Sequence, residues 1–183
     1  MLLMKVPTFS WLKITGLDTV LGPEMKSTGE AMGHGPNFGT AYLKAMKGAN
    51  KKLPTKGTVF LSISNKLKVE FIKLAKRLEN LGFQLIATKG TAAHLRSSKI
   101  SSKVIWRISD KKSPDILSIM RKGNVNLIIN LPTGKRAATD GAQMRRLAVE
   151  LGIPFITTIT GADAAIKSLE EGENNYLMPI NKR

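Results

Sequence analysis

Gly82-Phe83-Gln84-Leu85-Ile86-Ala87-Thr88-Lys89-Gly90-Thr91-Ala92 is the stretch that decides the fold. Gln84 to Thr88 reads as a buried strand, and Gly82 before it ends the preceding helix in the position glycine favours. After the strand comes a small turn, Thr88-Lys89-Gly90-Thr91, that opens a short helix at Ala92 to Arg96. The start of a helix leaves backbone N–H donors unpaired and carries partial positive charge. With two hydroxyls and a lysine beside those donors, the turn suits a phosphate or carboxylate. The run points to an anion-binding α/β domain.

Upstream, Lys68 to Leu81 has helical period, with Phe71, Leu74, Ala75, Leu78 and Leu81 on one stripe. Before it, Thr58 to Ile63 is β-rich and apolar. Downstream the alternation continues. Val104 to Arg107, Leu127 to Asn130 and Phe155 to Thr158 read as strands. Pro114 to Arg121, Asp140 to Leu151 and Gly161 to Glu171 read as helices, with Pro114 in a first turn and Thr139 or Asp140 as an N-cap. Strands separated by helices predict a five-stranded, mainly parallel sheet covered on both faces, a Rossmann-like three-layer α/β sandwich. Ligands of such sheets bind at the C-terminal ends of the strands.

Residues 1–49 differ. Gly and Pro recur from Pro7 to Gly39, which argues for turns, with one helix from Asn37 to Lys47. The segment is expected to be mostly irregular, with Phe9, Trp11, Leu12, Ile14 and Leu17 lacking an obvious partner inside it. Residues 50–57, polar, basic and broken by Pro54 and Gly57, read as a linker to a domain at 58–183.

Composition narrows the function. The 183 residues carry 29 Lys plus Arg against 13 Asp plus Glu, a net charge of +16. Such a field draws anions, nucleic acid among them. Only 5% of residues are aromatic, and no basic–aromatic interleaving offers a base-stacking platform, so a small anionic ligand or an acidic partner is the better expectation. There is no cysteine, and the two histidines, His34 and His94, stand far apart, so no metal site is expected. No apolar run reaches the ~18 residues of a membrane span. Met1 to Val6 is too short for a secretory signal. A cytoplasmic location follows as the expectation.

The polar residues gather at the strand ends. Lys68 starts the helix beyond the first strand; Thr88, Lys89, Gly90 and Thr91 follow the second; Arg107 closes the third; Asn130 closes the fourth and Thr133 follows it; Thr157 and Thr158 close the fifth. Hydroxyls, glycines and cations on one rim supply donors without negative charge, the chemistry of a phosphate site. Acids near the rim are Asp110, Asp115, Asp140 and Asp163. No Ser-His-Asp set, paired carboxylate, Walker loop or dinucleotide glycine fingerprint is present.

With those residues in view, positions 58–166 resemble the methylglyoxal-synthase-like regulatory domain that ends the large subunit of carbamoyl-phosphate synthetase. The matching pieces are Gly57 to Ile63, Leu81 to Ala92, Leu127 to Asn130 and Arg145-Arg146-Leu147-Ala148. Gly22-Pro23-Glu24-Met25-Lys26-Ser27-Thr28-Gly29-Glu30-Ala31-Met32-Gly33 is similar to the end of the second ATP-grasp half of that ligase. The resemblance implies a regulatory portion of an enzyme of pyrimidine and arginine biosynthesis. It binds an allosteric effector, often a nucleotide monophosphate, in some members N-acetylglutamate or phosphoribosyl pyrophosphate. ATP and Mg belong to ATP-grasp regions outside this sequence, so no cofactor is expected here. The implied partners are the rest of the large subunit, the glutaminase small subunit and, as an open question, further copies of the chain.

Carried over by position, the effector clamp is Lys68, Thr88, Thr91, Arg107 where the family usually has Lys, and Asn130. A threonine of nucleotide-binding members falls on Pro132, leaving Thr133 as its substitute. A tyrosine linked to the ornithine response falls on Phe155, and its companion threonine on Thr157. On this reading Lys68→Ala or Thr91→Val weakens effector binding and leaves the fold intact. The alternatives are a methylglyoxal-synthase-like lyase acting on dihydroxyacetone phosphate, or a basic nucleic-acid-binding protein. The lyase's catalytic aspartate falls near Ser113, with Asp115 close by, and its histidine near Ala137, so neither role is filled.

Overall fold

The computed structural model describes residues 1–11, 24–132 and 135–172, with the side chains of 135–139 left aside. Its centre is a five-stranded, wholly parallel sheet. The strands are β3 (Thr58–Ile63), β4 (Gln84–Ala87), β5 (Lys103–Val104), β6 (Leu127–Leu131) and β7 (Phe155–Ile156), in the spatial order β5-β4-β3-β6-β7. The chain enters at the central strand, builds outward through β4 and β5, then returns to the other side of β3 for β6 and β7. The connections therefore diverge between β3 and β6. In open parallel sheets that divergence opens a crevice at the carboxyl ends of the two strands.

Alternation along each strand sorts the core into two layers. Val59, Leu61 and Ile63 of β3 point to one face, with Phe71, Leu74, Ala75 and Leu78 of α2 (Lys68–Asn80) and Ala162, Ala165 and Ile166 of α6 (Ile159–Glu171). Phe60 and Ile128 point to the other, with Ile116 and Met120 of α4 (Ile116–Arg121) and Met144, Leu147 and Ala148 of α5 (Lys135–Glu150). Phe60, Leu61, Leu127, Ile128 and Ile129 are each at most 1% exposed. Burying one such side chain stabilises by about 1.5–3 kcal/mol. The remaining helix, α3 (Lys89–Ser97), contributes Ala92 and Leu95 to the first layer. The three-layer α/β sandwich expected from the sequence is thus present. Gly82 ends α2 at φ +83, where glycine meets no steric penalty.

The N-terminal segment departs from the sequence reading. Beside the expected helix, here α1 (Phe38–Gly48), it holds an antiparallel ribbon of β1 (Leu2–Thr8) and β2 (Gly29–Gly35). The glycines that suggested turns instead let β2 lie against α1. A Cβ on Gly33 would stand 2.1 Å from the Ala41 carbonyl oxygen, and one on Gly35 2.7 Å from the Thr40 side chain. Pro7 is tolerated because a two-stranded ribbon is all edge. Phe9 and Trp11 do find partners: their rings stack 5.1 Å apart, and Lys51 Nζ lies 4.6 Å from the Phe9 ring centre. Leu12, Ile14 and Leu17 lie outside the described residues.

Asp140 is not an N-cap. The fifth helix starts five residues earlier than expected, at Lys135, so Asp140 stands inside it. Among the described residues, no helix is long and apolar enough to cross a membrane.

Candidate functional site at the strand ends

The rim begins where β3 ends. Lys68 is the first residue of α2, and its ammonium reaches over the start of α3: a Cβ on Gly90 would sit 3.2 Å from Lys68 Nζ. Burial, and then the nearby charge of Arg107, lower the Lys68 pKa from its ordinary value. An anion that pairs with the two cations offsets both influences.

The Thr88–Thr91 turn is built differently from a pair of free hydroxyls. Thr88 N-caps α3 through its extended backbone, but its side chain makes no cap bond. Its Oγ1 donates instead to Thr91 Oγ1 at 3.1 Å. Thr91 Oγ1 in turn accepts from the Ile63 N–H at 3.1 Å and faces the Ile63 carbonyl at 3.4 Å. Both threonines are nearly fully buried, 4% and 2% exposed. The hydroxyls therefore pin the turn to β3. The donors left for a ligand are the backbone N–H groups of the first helical residues, which have no partner inside the helix. Gly90 keeps the approach to those groups open, and Lys89 beside it is exposed.

Across the crevice stands Asn130 on β6, 3% exposed, with an Nδ2 that has no hydrogen-bond partner. A buried amide N–H left unpaired costs about 1–3 kcal/mol. Gly141 of α5 lies close: its Cβ would fall 3.3 Å from Asn130 Nδ2 and 2.9 Å from Arg145 Nη1. Arg145, 8% exposed, thus brings a second cation beneath the crevice. Arg107 stands on the outer side, after β5, as the exposed N-cap of the turn Ile108–Asp110. Thr157 follows β7 and is exposed. Thr133 lies outside the described residues.

The four acids flagged in the sequence are all engaged. Asp110 Oδ2 accepts from the Arg107 N–H at 3.1 Å, and Asp115 Oδ1 caps α4 by accepting from the Ser118 N–H at 2.8 Å. Asp140 Oδ2 accepts from Ser109 Oγ at 2.8 Å, tying the Arg107 turn to α5. Asp163 is bonded to Arg77 between α2 and α6.

Sequence reasoning passed over three contributors. Ser62 is the register partner of Asn130 across β3 and β6. Ser64, which follows β3, has a buried Oγ without a partner. Arg145 is named for the resemblance but given no place in the site read from the sequence. Ser62 carried a usable signal, a small polar residue near the end of an otherwise apolar buried strand. Arg145 stands in one of the segments that carry the resemblance, but its burial comes only from the packing of α5 on the sheet.

Comparison with known proteins identifies this region. Residues 70–157 match the MGS-like domain family. Residues 70–157 form an MGS-like domain. Over 91% of its length the chain is 48% identical to the C-terminal section of the carbamoyl phosphate synthase large chain of Methanocaldococcus jannaschii, covering 27% of that protein. It is 46% identical, again over 91% of its length, to the corresponding section from Methanopyrus kandleri, of which it covers 31%. The chain thus spans less than a third of these relatives. Among solved structures, methylglyoxal synthase from Elizabethkingia anophelis gives a TM-score of 0.49 at 16% identity, over 62% of this chain and 79% of that one. In this region Lys68 reaches the start of α3 at Gly90, while Asn130 Nδ2 lies beside Gly141 of α5 and Arg145.

Proposed function

We propose that this chain is the regulatory portion of a carbamoyl phosphate synthase large chain, and that the β3–β6 crevice binds a small anionic effector, a nucleotide monophosphate being the best match. The observation that carries the reading is the unpaired, buried Nδ2 of Asn130 near the carboxyl end of β6, one strand from the end of β3, after which Lys68 reaches over the start of α3. A phosphate placed there accepts from backbone N–H groups and from the Lys68 ammonium, and its charge offsets the mutual repulsion of Lys68 and Arg107. The amide of Asn130 is then free to hold a hydroxyl or a base edge.

The mechanism is coupling between sites. An effector that bridges the two sides of the crevice favours one arrangement of the domain on the rest of the synthetase, and linkage makes that arrangement favour the effector in return. The partners on this reading are the remaining large-chain regions, which use ATP and Mg, and the glutaminase subunit. Carbamoyl phosphate synthesis is assigned to those regions.

The reading is tested by thermal shift of the chain at physiological salt against UMP, IMP, ornithine, N-acetylglutamate, phosphoribosyl pyrophosphate and inorganic phosphate. A selective upward shift, reduced by Asn130→Leu and Lys68→Ala, supports it. Equal shifts with all anions, or shifts untouched by those variants, overturn it.

A further inference from the structure

We infer that α6 is the mechanical link between the effector crevice and the N-terminal ribbon–helix unit, with the Glu171–Gly39 contact as its joint. The inference rests on the reading of the crevice as an effector site and adds the route by which occupancy is felt elsewhere.

Three observations support it. The first is the span of α6. Its N-cap is Thr158, next to the rim residue Thr157, and its last residue is Glu171. Thirteen residues at 1.5 Å each make a rod of about 20 Å. Ala162, Ala165, Ile166 and Ser168 are at most 1% exposed, so the rod is seated in the core along its length and moves as one body.

The second is the joint at its far end. Glu171 Oε2 accepts from the Gly39 N–H at 2.6 Å, in the first turn of α1, where the helix carries partial positive charge. Asn37 Oδ1, the N-cap proper, accepts from the Thr40 N–H at 2.9 Å. The start of α1 is therefore capped twice, once from its own segment and once from α6. There is no slack between the two helices: a Cβ on Gly39 would stand 2.5 Å from Glu171 Cβ and 3.0 Å from the Ser168 carbonyl oxygen. Lys167 Nζ adds a contact 5.4 Å from the Phe38 ring centre.

The third is what α1 carries. Gly33 and Gly35 of β2 press on Thr40 and Ala41, and Gly48 lies 3.2 Å (from its Cβ position) from the Ala31 side chain. Ribbon and helix thus form one packed unit. The α1–α6 face is the main surface by which this unit meets the sheet domain among the described residues. Thr157 and Thr158 follow Ile156, the register partner of Ile129 on β6, so a displacement of the β6 end at Asn130 that carries β7 with it moves α6 along its axis or about it, and α1 and the ribbon must follow. Close-packed surfaces of this kind shift as discrete units.

Hydrogen exchange followed by mass spectrometry on the full chain, with and without saturating UMP and, as a second probe, inorganic phosphate, tests the inference. UMP is expected to slow exchange at residues 88–92 and to alter exchange at residues 38–48 by about threefold or more. In Glu171→Ala the rim response persists and the α1 response disappears. In Glu171→Gln, which keeps an acceptor for the Gly39 N–H, both persist. Protection at the rim with no change in wild-type α1 overturns the inference and leaves the effector reading standing. An α1 response that survives in Glu171→Ala overturns the joint. No rim protection by either probe removes the effector reading, and the inference with it.

Discussion

The Nζ of Lys68 lies 3.2 Å from where a Cβ on Gly90 would sit. A side chain at position 90 would press on the ammonium, which would have to give by a few tenths of an ångström over the first turn of α3. Gly90→Ala is expected to split stability from binding. Alanine in a helix is favoured over glycine by about 0.5–1 kcal/mol, and Gly90 has no positive φ to protect, so the melting temperature rises. The methyl group shifts the ammonium slightly, and affinity for UMP is expected to fall about threefold. Calorimetric melting and titration of one variant check both halves. Unchanged affinity would separate Lys68 from the ligand.

Lys68 also sets an expected pH dependence. Burial and Arg107 place its pKa below the 10.5 of an ordinary lysine. It therefore loses its charge at a lower pH than an ordinary lysine does. Anion affinity should fall as the solution is made alkaline, above about pH 7 where the phosphate group itself has finished titrating. Lys68→Arg keeps its charge throughout that range and should flatten the profile. Lys68→Ala should weaken binding about 10–100-fold at neutral pH. Isothermal titration across the range distinguishes the three proteins.

Thr91→Val should cost stability as well as affinity, contrary to the sequence-based expectation that it would spare the fold. Removing the hydroxyl leaves the buried Ile63 N–H without its partner at 3.1 Å. The penalty is about 1–3 kcal/mol. Thr91→Ser keeps the acceptor and should restore most of the loss in a denaturant titration. A wild-type stability for Thr91→Val would mean that the hydroxyl serves the ligand alone.

Away from the crevice, Arg77 holds α2 to α6 through Glu170, with Nε and Nη2 donating at 2.8 and 2.7 Å, and through Asp163. The bonds from Arg77 hold the Glu170 carboxyl below its usual range. A carboxyl with a depressed folded-state pKa contributes stability above its unfolded pKa, and that stability is lost as the pH falls through the folded value. Arg77→Met should lower the melting temperature by about 2–4 °C at neutral pH, a modest effect because the pair is partly exposed. The gap between variant and wild type should close in acid, as Glu170 protonates below the ordinary carboxylate range. A gap that persists there would assign the loss to packing of the arginine stem.

Much of this molecule was legible without coordinates. Phe71, Leu74, Ala75 and Leu78 fall on one stripe by period alone, and that stripe is the buried face of α2. Gly82 marked the end of the helix, and the Thr88–Thr91 run marked the turn that opens α3. The glycines of β2 were misread because glycine has two uses. It permits positive φ in turns, and it permits close approach of backbones. Gly33 serves the second, against the Ala41 carbonyl, and nothing local in the sequence separates the two.

The sequence alone determined the elements and their alternation, since hydrophobic period and turn chemistry are local and act before any contact forms. It also determined that Lys68, the Thr88–Thr91 turn and Asn130 lie at strand ends, because parallel strands all end on one side. Only the tertiary structure decided the strand order β5-β4-β3-β6-β7, which sets Asn130 beside Ser62 and opens the crevice at the β3–β6 divergence. It alone decided that Thr91 is spent on the Ile63 backbone, that Arg145 is buried, and that Glu171 reaches Gly39 across 132 positions of chain. Those are contacts between segments distant in sequence, fixed by how packed layers meet and not by the propensity of any one of them.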